Sequence, residues 1–140
     1  MSSAARRYYV RGRAALDGGD ADQAIESLAS AIDLAPHFTD ARLAYAVALC
    51  RRGDTPRAAQ TLRAGLAHAR TAAAGAALSL ILGDVLTTSG DFAAAEDAFG
   101  QAARHPAFAG RAAAGRARAL AKSGRYGDAV GQLLRAARGH

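Results

Sequence analysis

Apolar residues recur along this chain every three to four positions, which is the spacing of one face of an α-helix. The first two stripes, at about residues 4–17 and 20–35, are separated by Gly18-Gly19 and then Asp20. Glycine in the left-handed conformation ends a helix, and aspartate caps the start of the next one, with Gln23 placed as a capping-box partner. Pro36 follows the second stripe. The pattern therefore predicts a helical hairpin with a very short turn.

This hairpin pattern returns three more times. Each copy has a turn glycine, a small residue five positions later, a large apolar residue four beyond that, and a small residue three beyond that. The turn glycines are Gly19, Gly53, Gly90 and Gly124, at spacings of 34, 37 and 34 residues. Such a period is typical of solenoids of helical hairpins. We expect repeats at about 5–38, 39–72, 76–109 and 110–140, with the longer spacing absorbed by helix extension between 68 and 75 rather than by a long loop.

The repeated residues resemble the tetratricopeptide repeat (TPR) family. In the first copy, that family's glycine, small, small, leucine, small and proline positions hold Gly12, Ala15, Ala24, Leu28, Ala31 and Pro36. The third copy matches with Gly83, Leu86, Ala95, Phe99 and Ala102, whereas Arg11, Gly65, Arg70 and Arg116 depart from the family pattern. The resemblance covers nearly the whole chain and implies a single all-α domain, residues 1–140. It also implies an α-solenoid of four hairpins, about eight antiparallel helices, in a right-handed superhelix.

Composition agrees with close-packed helices, because alanine makes up much of the 51% hydrophobic content and aromatic residues only 6%. The single cysteine, Cys50, excludes an internal disulfide, and we expect it to be a small packed residue. No apolar run approaches the roughly 18 residues of a membrane span, and the N-terminus lacks a secretory core. These features, with the arginine-rich and lysine-poor composition, predict a soluble cytoplasmic protein of a bacterium.

The net charge of +6 is concentrated in the last repeat. Eleven arginines and eleven acids cancel over residues 1–109, whereas residues 110–140 hold seven basic residues against Asp128 alone. Such an asymmetry indicates an acidic partner surface or nucleic acid at this end. Arg125 also stands where the other three copies have a capping aspartate, so we expect the last helix to lack that cap.

By the resemblance, the first helices of the hairpins line a concave partner-binding groove. The residues expected to line it are Arg6, Tyr9, Arg13, Leu43, Val47, Cys50, Arg51, Leu80, Asp84, Arg111, Arg118 and Lys122. This groove would be apolar in its middle and cationic at both ends, which suits an extended segment or helix with apolar anchors and acidic flanks. The alternative, that some of these residues pack between repeats or are merely solvated, is left open. Lys and Asn are absent from the positions with which chaperone-associated TPRs hold a C-terminal carboxylate, so that function is not expected.

The last helix raises a separate expectation. TPR arrays usually finish with an extra helix over the final apolar face, whereas this sequence ends just after the fourth hairpin. We therefore expect Val130, Leu133 and Leu134 to form an exposed face available for self-association or for a partner.

The sequence contains no enzyme motif of the phosphate-loop, dinucleotide, zinc-protease or nucleophile-elbow type, so we predict no catalytic, cofactor or metal site. Asp20, Asp54 and Asp91 are interpreted as helix N-caps, and His68 and His105 as residues near helix C-termini. The leading hypothesis is a non-catalytic interaction module, an adaptor or scaffold. Two alternatives are a TPR-type secretion chaperone that shields apolar client segments, and binding of nucleic acid or an acidic partner through the basic last repeat.

Overall fold

The structure, a computed structural model, describes residues 1–139; His140, the last residue of the predicted fourth repeat, lies outside them. These residues form eight α-helices and no strand. The helices are α1 (Ser3–Asp17), α2 (Ala21–Leu34), α3 (Thr39–Arg51), α4 (Thr55–His68), α5 (Ala72–Thr88), α6 (Phe92–Ala102), α7 (Ala109–Lys122) and α8 (Tyr126–Arg138), with a 3-10 turn at Pro106–Phe108. The predicted all-α fold of four hairpins is confirmed.

The helices are grouped into two compact units, residues 1–70 and the residues from Thr71 onward. Unit 1 contains the hairpins α1–α2 and α3–α4, and unit 2 contains α5–α6 and α7–α8. Within each unit, consecutive helices pack together, and the first helices of the two hairpins are also neighbours: α1 with α3, and α5 with α7. Each unit therefore presents one face built from two first helices.

The four turns have the same backbone geometry. Their glycines have φ between +79° and +88°, a region that L-residues rarely adopt. In each turn the residue after the glycine donates its N–H to a carbonyl at the end of the preceding helix, over 2.8–2.9 Å, as Asp20 does to Ala15. The periodic glycines of the sequence are therefore required by the turn itself.

The caps after these turns follow the sequence closely. Asp20, Asp54 and Asp91 each accept a hydrogen bond from the N–H three residues later, whereas Arg125 makes no cap with its side chain, as expected. The capping box expected at Gln23 is wrong: its side-chain amide donates to Ser27 Oγ over 3.0 Å. The first cap is therefore a one-sided aspartate cap.

The junctions before the third and fourth hairpins differ from the simple repeat. Helix α5 has 17 residues, against 14 for α4, so the longer spacing is absorbed by α5 alone. Thr71 caps α5 by accepting the N–H of Ala74 over 3.0 Å. His105 lies beyond the end of α6, and its Nδ1 accepts the N–H of Ala107 at the 3-10 turn. It therefore does not cap the C-terminus of α6, whereas His68 does lie in the last turn of α4.

One large side chain fills the centre of each unit against a glycine. A methyl group at Gly12 would lie 2.5 Å from Leu28 Cγ, and one at Gly83 would lie 2.6 Å from the ring of Phe99. Gly115 faces the same ring from α7, although the repeat pattern does not mark it. Leu28 and Phe99 are completely buried, so these pairs set how closely the helices approach.

Candidate functional site

The first-unit face is formed by residues of α1 and α3 that share one side of their helices. Its members, all predicted from the sequence, are Arg6, Tyr9, Arg13, Leu43, Val47, Cys50 and Arg51. Residues three, four and seven apart lie on one side of a helix, so the members on each helix share one side of it. Arg51 ties the two helices, because its Nη1 donates to the carbonyl oxygen of Leu16 over 2.8 Å.

The first-unit face has an apolar centre with cations beside it. Leu43 and Cys50 are half-buried and Val47 is 38% exposed, so the stripe along α3 is accessible but not fully solvated. Arg6 and Arg13 are exposed on α1. The arrangement offers apolar contact in the middle and positive charge on one side.

Two predicted members of this face also serve the fold. The ring of Tyr9 packs on that of Phe38 with centroids 4.9 Å apart, and Tyr9 is half-buried. The guanidinium of Arg51 is engaged by the Leu16 carbonyl. Arg13 lies 4.0 Å from Asp17, an exposed pair that contributes little free energy. Arg6 and Arg13 are therefore the cations most available to a ligand on this face.

The second-unit face, formed by Asp84 of α5 with Arg111, Arg118 and Lys122 of α7, is polar. Arg118 Nη2 donates to Asp84 Oδ1 over 3.0 Å, and the guanidinium of Arg111 lies over the ring of Phe108 at 4.6 Å. Leu80 was expected here as an apolar groove residue, but it is 7% exposed and lies in the core of unit 2. The reason is that α5 is covered by both α6 and α7. The apolar centre is therefore confined to the first-unit face.

The α8 face, formed by Val130, Leu133 and Leu134, is exposed as expected, at 57%, 50% and 51%. Tyr126, which the sequence reasoning left out of this face, is 68% exposed at the start of the same helix. Helix α8 attaches through Ala129, which packs against Ala117 and Leu120 of α7. The large apolar side chains of α8 are consequently only partly covered by residues 1–139.

The structure shows little reactive chemistry in the part of the chain it describes. Burial raises the pKa of the Cys50 thiol above its ordinary value, which disfavours the nucleophilic thiolate. Residues 1–139 contain no group of three or more metal-ligating side chains that could hold an ion. None of the helices described is long and apolar enough to cross a membrane.

Sequence reasoning missed two arginines with unusual environments. Arg42 is buried, and its guanidinium donates to backbone and hydroxyl oxygens inside unit 1. Arg116 is half-buried, and its Nε has no hydrogen-bond acceptor among residues 1–139. Their repeat positions were the signal that could have found them. Arg42 stands 11 residues before its turn glycine and Arg116 stands 8 residues before its own, and both positions usually hold a large apolar residue.

Comparisons with known proteins agree with this architecture. Two family models, both described as tetratricopeptide repeat, match residues 15–81 and 80–139. A solved structure described as "Crystal structure of MamA" is 23% identical with a TM-score of 0.81, and the match covers 96% of this chain and 77% of that one. Another, "Crystal structure of MamA protein", is 22% identical with a TM-score of 0.80, covering 94% and 70%. A comparison with curated proteins found no match. At these identities the likeness to solved structures establishes the fold.

Proposed function

Because this chain belongs to the tetratricopeptide repeat family, we propose that it is a non-catalytic protein–protein interaction module that binds a peptide or helix of a partner. The carrying observation is the first-unit face, where a partly exposed apolar stripe lies beside two exposed arginines. In its full form the proposal is an adaptor or scaffold in the cytoplasm of a bacterium. Its partner has apolar anchors and acidic flanks.

The spacing on the first-unit face suits a helical or extended ligand. Leu43, Val47 and Cys50 stand at i, i+4 and i+7, which spans roughly 10 Å along α3. A partner helix with apolar residues at the same intervals would match this stripe. Arg6 and Arg13 are also seven residues apart, so both can meet acidic flanks. Buried apolar anchors supply most of the affinity, and such rim charges set orientation and association rate.

The single cysteine provides a direct test, because it lies within the proposed contact. A benzophenone attached to Cys50 is photo-activated in native lysate, and covalent adducts are identified by mass spectrometry. The matched control is Cys50→Ala/Ala67→Cys, which moves the probe to an exposed position on α4. We expect a discrete protein adduct from Cys50, weak adducts from the control, and loss of the Cys50 adduct on Val47→Asp.

Equal adducts from both probe positions would contradict the proposal, and so would a Cys50 adduct that Val47→Asp leaves unchanged. Separate measurements distinguish the alternatives. A secretion chaperone would raise the solubility of its co-expressed client. Binding of nucleic acid through the last repeat would disappear with nuclease and high salt, and would depend on Arg111, Arg118 and Lys122 rather than on Val47.

We also propose that the α8 face mediates self-association. Two copies of α8 packed antiparallel about Leu133 would bring their apolar side chains together. The half-exposed leucines on one side of this helix support a two-fold symmetric contact. Light scattering over a range of concentrations tests it. Leu134→Glu should reduce the mass to that of a monomer. Ala93→Glu, which makes the same charge change at an exposed position of α6, should leave the mass unchanged. A monomeric wild type would refute it.

A further inference from the structure

A cleft of about 400 Å³ opens in unit 2, away from the second-unit face. We name it the arginine cleft: its floor is formed by Ala109, Ala113 and Ala136, and its polar walls by Arg116, Gln132 and Arg135. Arg116 and Arg118 are two residues apart on α7, which places them about 200° apart around the helix. The arginine cleft is therefore distinct from the second-unit face. It lies in unit 2, apart from the first-unit face, and its α8 residues are not those of the α8 face.

Two features of the fourth repeat create this cleft. Eleven residues before the turn glycine, the four copies carry Tyr8, Arg42, Ser79 and Ala113 in order, so the fourth copy has the smallest side chain there. Eight residues before it, the third copy has Leu82 and the fourth has Arg116. The last hairpin thus has empty space beside a guanidinium.

The arginines of the cleft have no acidic partner in the described chain. No carboxylate of residues 1–139 forms an ion pair with Arg116 or Arg135, and the one side-chain bond of Arg135 is to Gln132 Oε1 at 3.4 Å. Arg116 Nε is shielded from water and lacks an acceptor, which is unfavourable for a donor on a charged group. Because both arginines line the cleft, their guanidinium N–H groups are positioned to donate to an anion there.

A neighbouring cleft on the other side of Arg116 does not share this property. It contains Glu96 and Asp97 beside Arg104, in a volume of about 370 Å³. Glu96 is itself engaged by Arg125 Nη1 at 3.2 Å. Two carboxylates would repel an incoming anion, so the inference is limited to the arginine cleft.

We propose that the arginine cleft binds a carboxylate of a partner polypeptide, from either an acidic side chain or a C-terminus. Guanidinium groups pair with carboxylates through two parallel hydrogen bonds, and Arg116 and Arg135 supply two such groups. The alanine floor gives apolar contact to the carbon atoms that carry the carboxylate, which inorganic phosphate would not use. The volume is within the range of small-ligand pockets.

The test is an NMR titration of the full chain with short acetylated peptides. The probes are alanine–leucine–glutamate as the free acid, its C-terminal amide, and the amide with glutamine in place of glutamate. We expect the Arg116 Nε–H signal to shift saturably with at least one carboxylate-bearing peptide and not with the glutamine amide. Binding of the glutamate amide identifies a side-chain carboxylate, and binding of the free acid alone identifies a C-terminus. Equal binding of the glutamine amide, or no shift with any peptide, would overturn the proposal.

Matched variants separate this site from general charge attraction. Arg116→Gln should lower the affinity for the carboxylate-bearing peptide by about tenfold, which is the effect of losing a charge-assisted hydrogen-bonded pair. Arg63→Gln removes the same charge from an exposed position on α4 and should leave affinity unchanged within about twofold. Ala113→Leu fills the cleft without altering charge and should also abolish the shift, so the test stands even if Arg116→Gln does not fold. Equal losses in the two arginine variants, or displacement of the peptide by equimolar inorganic phosphate, would refute a carboxylate site.

Discussion

The buried guanidinium of Arg42 should contribute strongly to the stability of unit 1. Only 6% of the residue is exposed, and its Nε donates to the carbonyl of Pro36 over 2.9 Å. Its Nη1 donates to the backbone oxygen and to Oγ1 of Thr61, each over 3.2 Å. These bonds join the segment between α2 and α3 to the middle of α4. Burial lowers the pKa of the Arg42 guanidinium, and among residues 1–139 no carboxylate forms an ion pair with it.

The magnitude follows from two opposing terms. Hydrogen bonds from a charged donor contribute roughly 1.5–3 kcal/mol each, and removing the side chain also leaves a cavity. In the opposite direction, the variant no longer buries a cation without a counter-charge, and this relieves a cost on the order of several kcal/mol. We therefore expect Arg42→Ala to lower the free energy of unfolding by about 2–4 kcal/mol. Arg42→Met, which fills the space without burying a charge, should cost about 1 kcal/mol or less.

The assay is urea unfolding followed by far-UV circular dichroism. The control is Arg63→Ala at an exposed position of α4, whose free energy of unfolding should lie within about 0.5 kcal/mol of that of the wild type. A double-mutant cycle with Thr61→Val should give a coupling of about 1 kcal/mol with Arg42→Ala. A cost for Arg42→Ala no larger than that of the control would refute the reasoning. If Arg42→Met were as costly as Arg42→Ala, the lost hydrogen bonds rather than the cavity would be responsible.

Three further predictions concern single positions. Gly115→Ala should destabilise the chain by about 1–3 kcal/mol in thermal unfolding, because the added methyl group would overlap the Phe99 ring. Gly100→Ala is the control: its methyl group would meet open space, so this variant should be neutral or stabilising by about 0.5–1 kcal/mol. Asp54→Ala should cost about 1 kcal/mol by the same measurement, through loss of the α4 cap, and no change would show that water replaces it. At pH 8, iodoacetamide should alkylate Cys50 more slowly than the cysteine of the Cys50→Ala/Ala67→Cys variant. The alkylation rate of Cys50 should continue to rise at higher pH, because burial raises the pKa of this thiol. Equal rates for the two cysteines would contradict this.

The features that sequence predicted well are determined by short stretches of chain. A turn glycine and the aspartate after it act within a few residues, so Gly53 and Asp54 could be assigned without knowing the rest of the fold. The same holds for the missing cap at Arg125. Repetition strengthened these assignments because four copies must satisfy the same local geometry. The α5 extension was predicted from the repeat spacing in the same way, although α4 did not share it.

The site was predicted less completely, because exposure depends on neighbours distant in sequence. Leu80 occupies a groove position in its own helix, yet covering by two other helices buries it. Tyr9 and Arg51 lie on the expected face, but each has an intramolecular partner that periodicity does not reveal. Arg116 looked like a simple departure from the family pattern. Its unpaired Nε and the adjacent space became visible once α6, α7 and α8 were placed together.

The contact of Phe99 with two glycines has a consequence for how this chain can change. Gly83 on α5 and Gly115 on α7 both leave room for the one ring, so the three positions cannot vary independently. A smaller residue at 99 would allow alanine at 83 and 115, whereas alanine at either glycine with phenylalanine retained would be selected against. In a set of descendants of this chain, these three positions should therefore change together. Grafting the third hairpin next to a fourth hairpin from another protein should succeed only where that fourth hairpin has a glycine opposite the Phe99 ring.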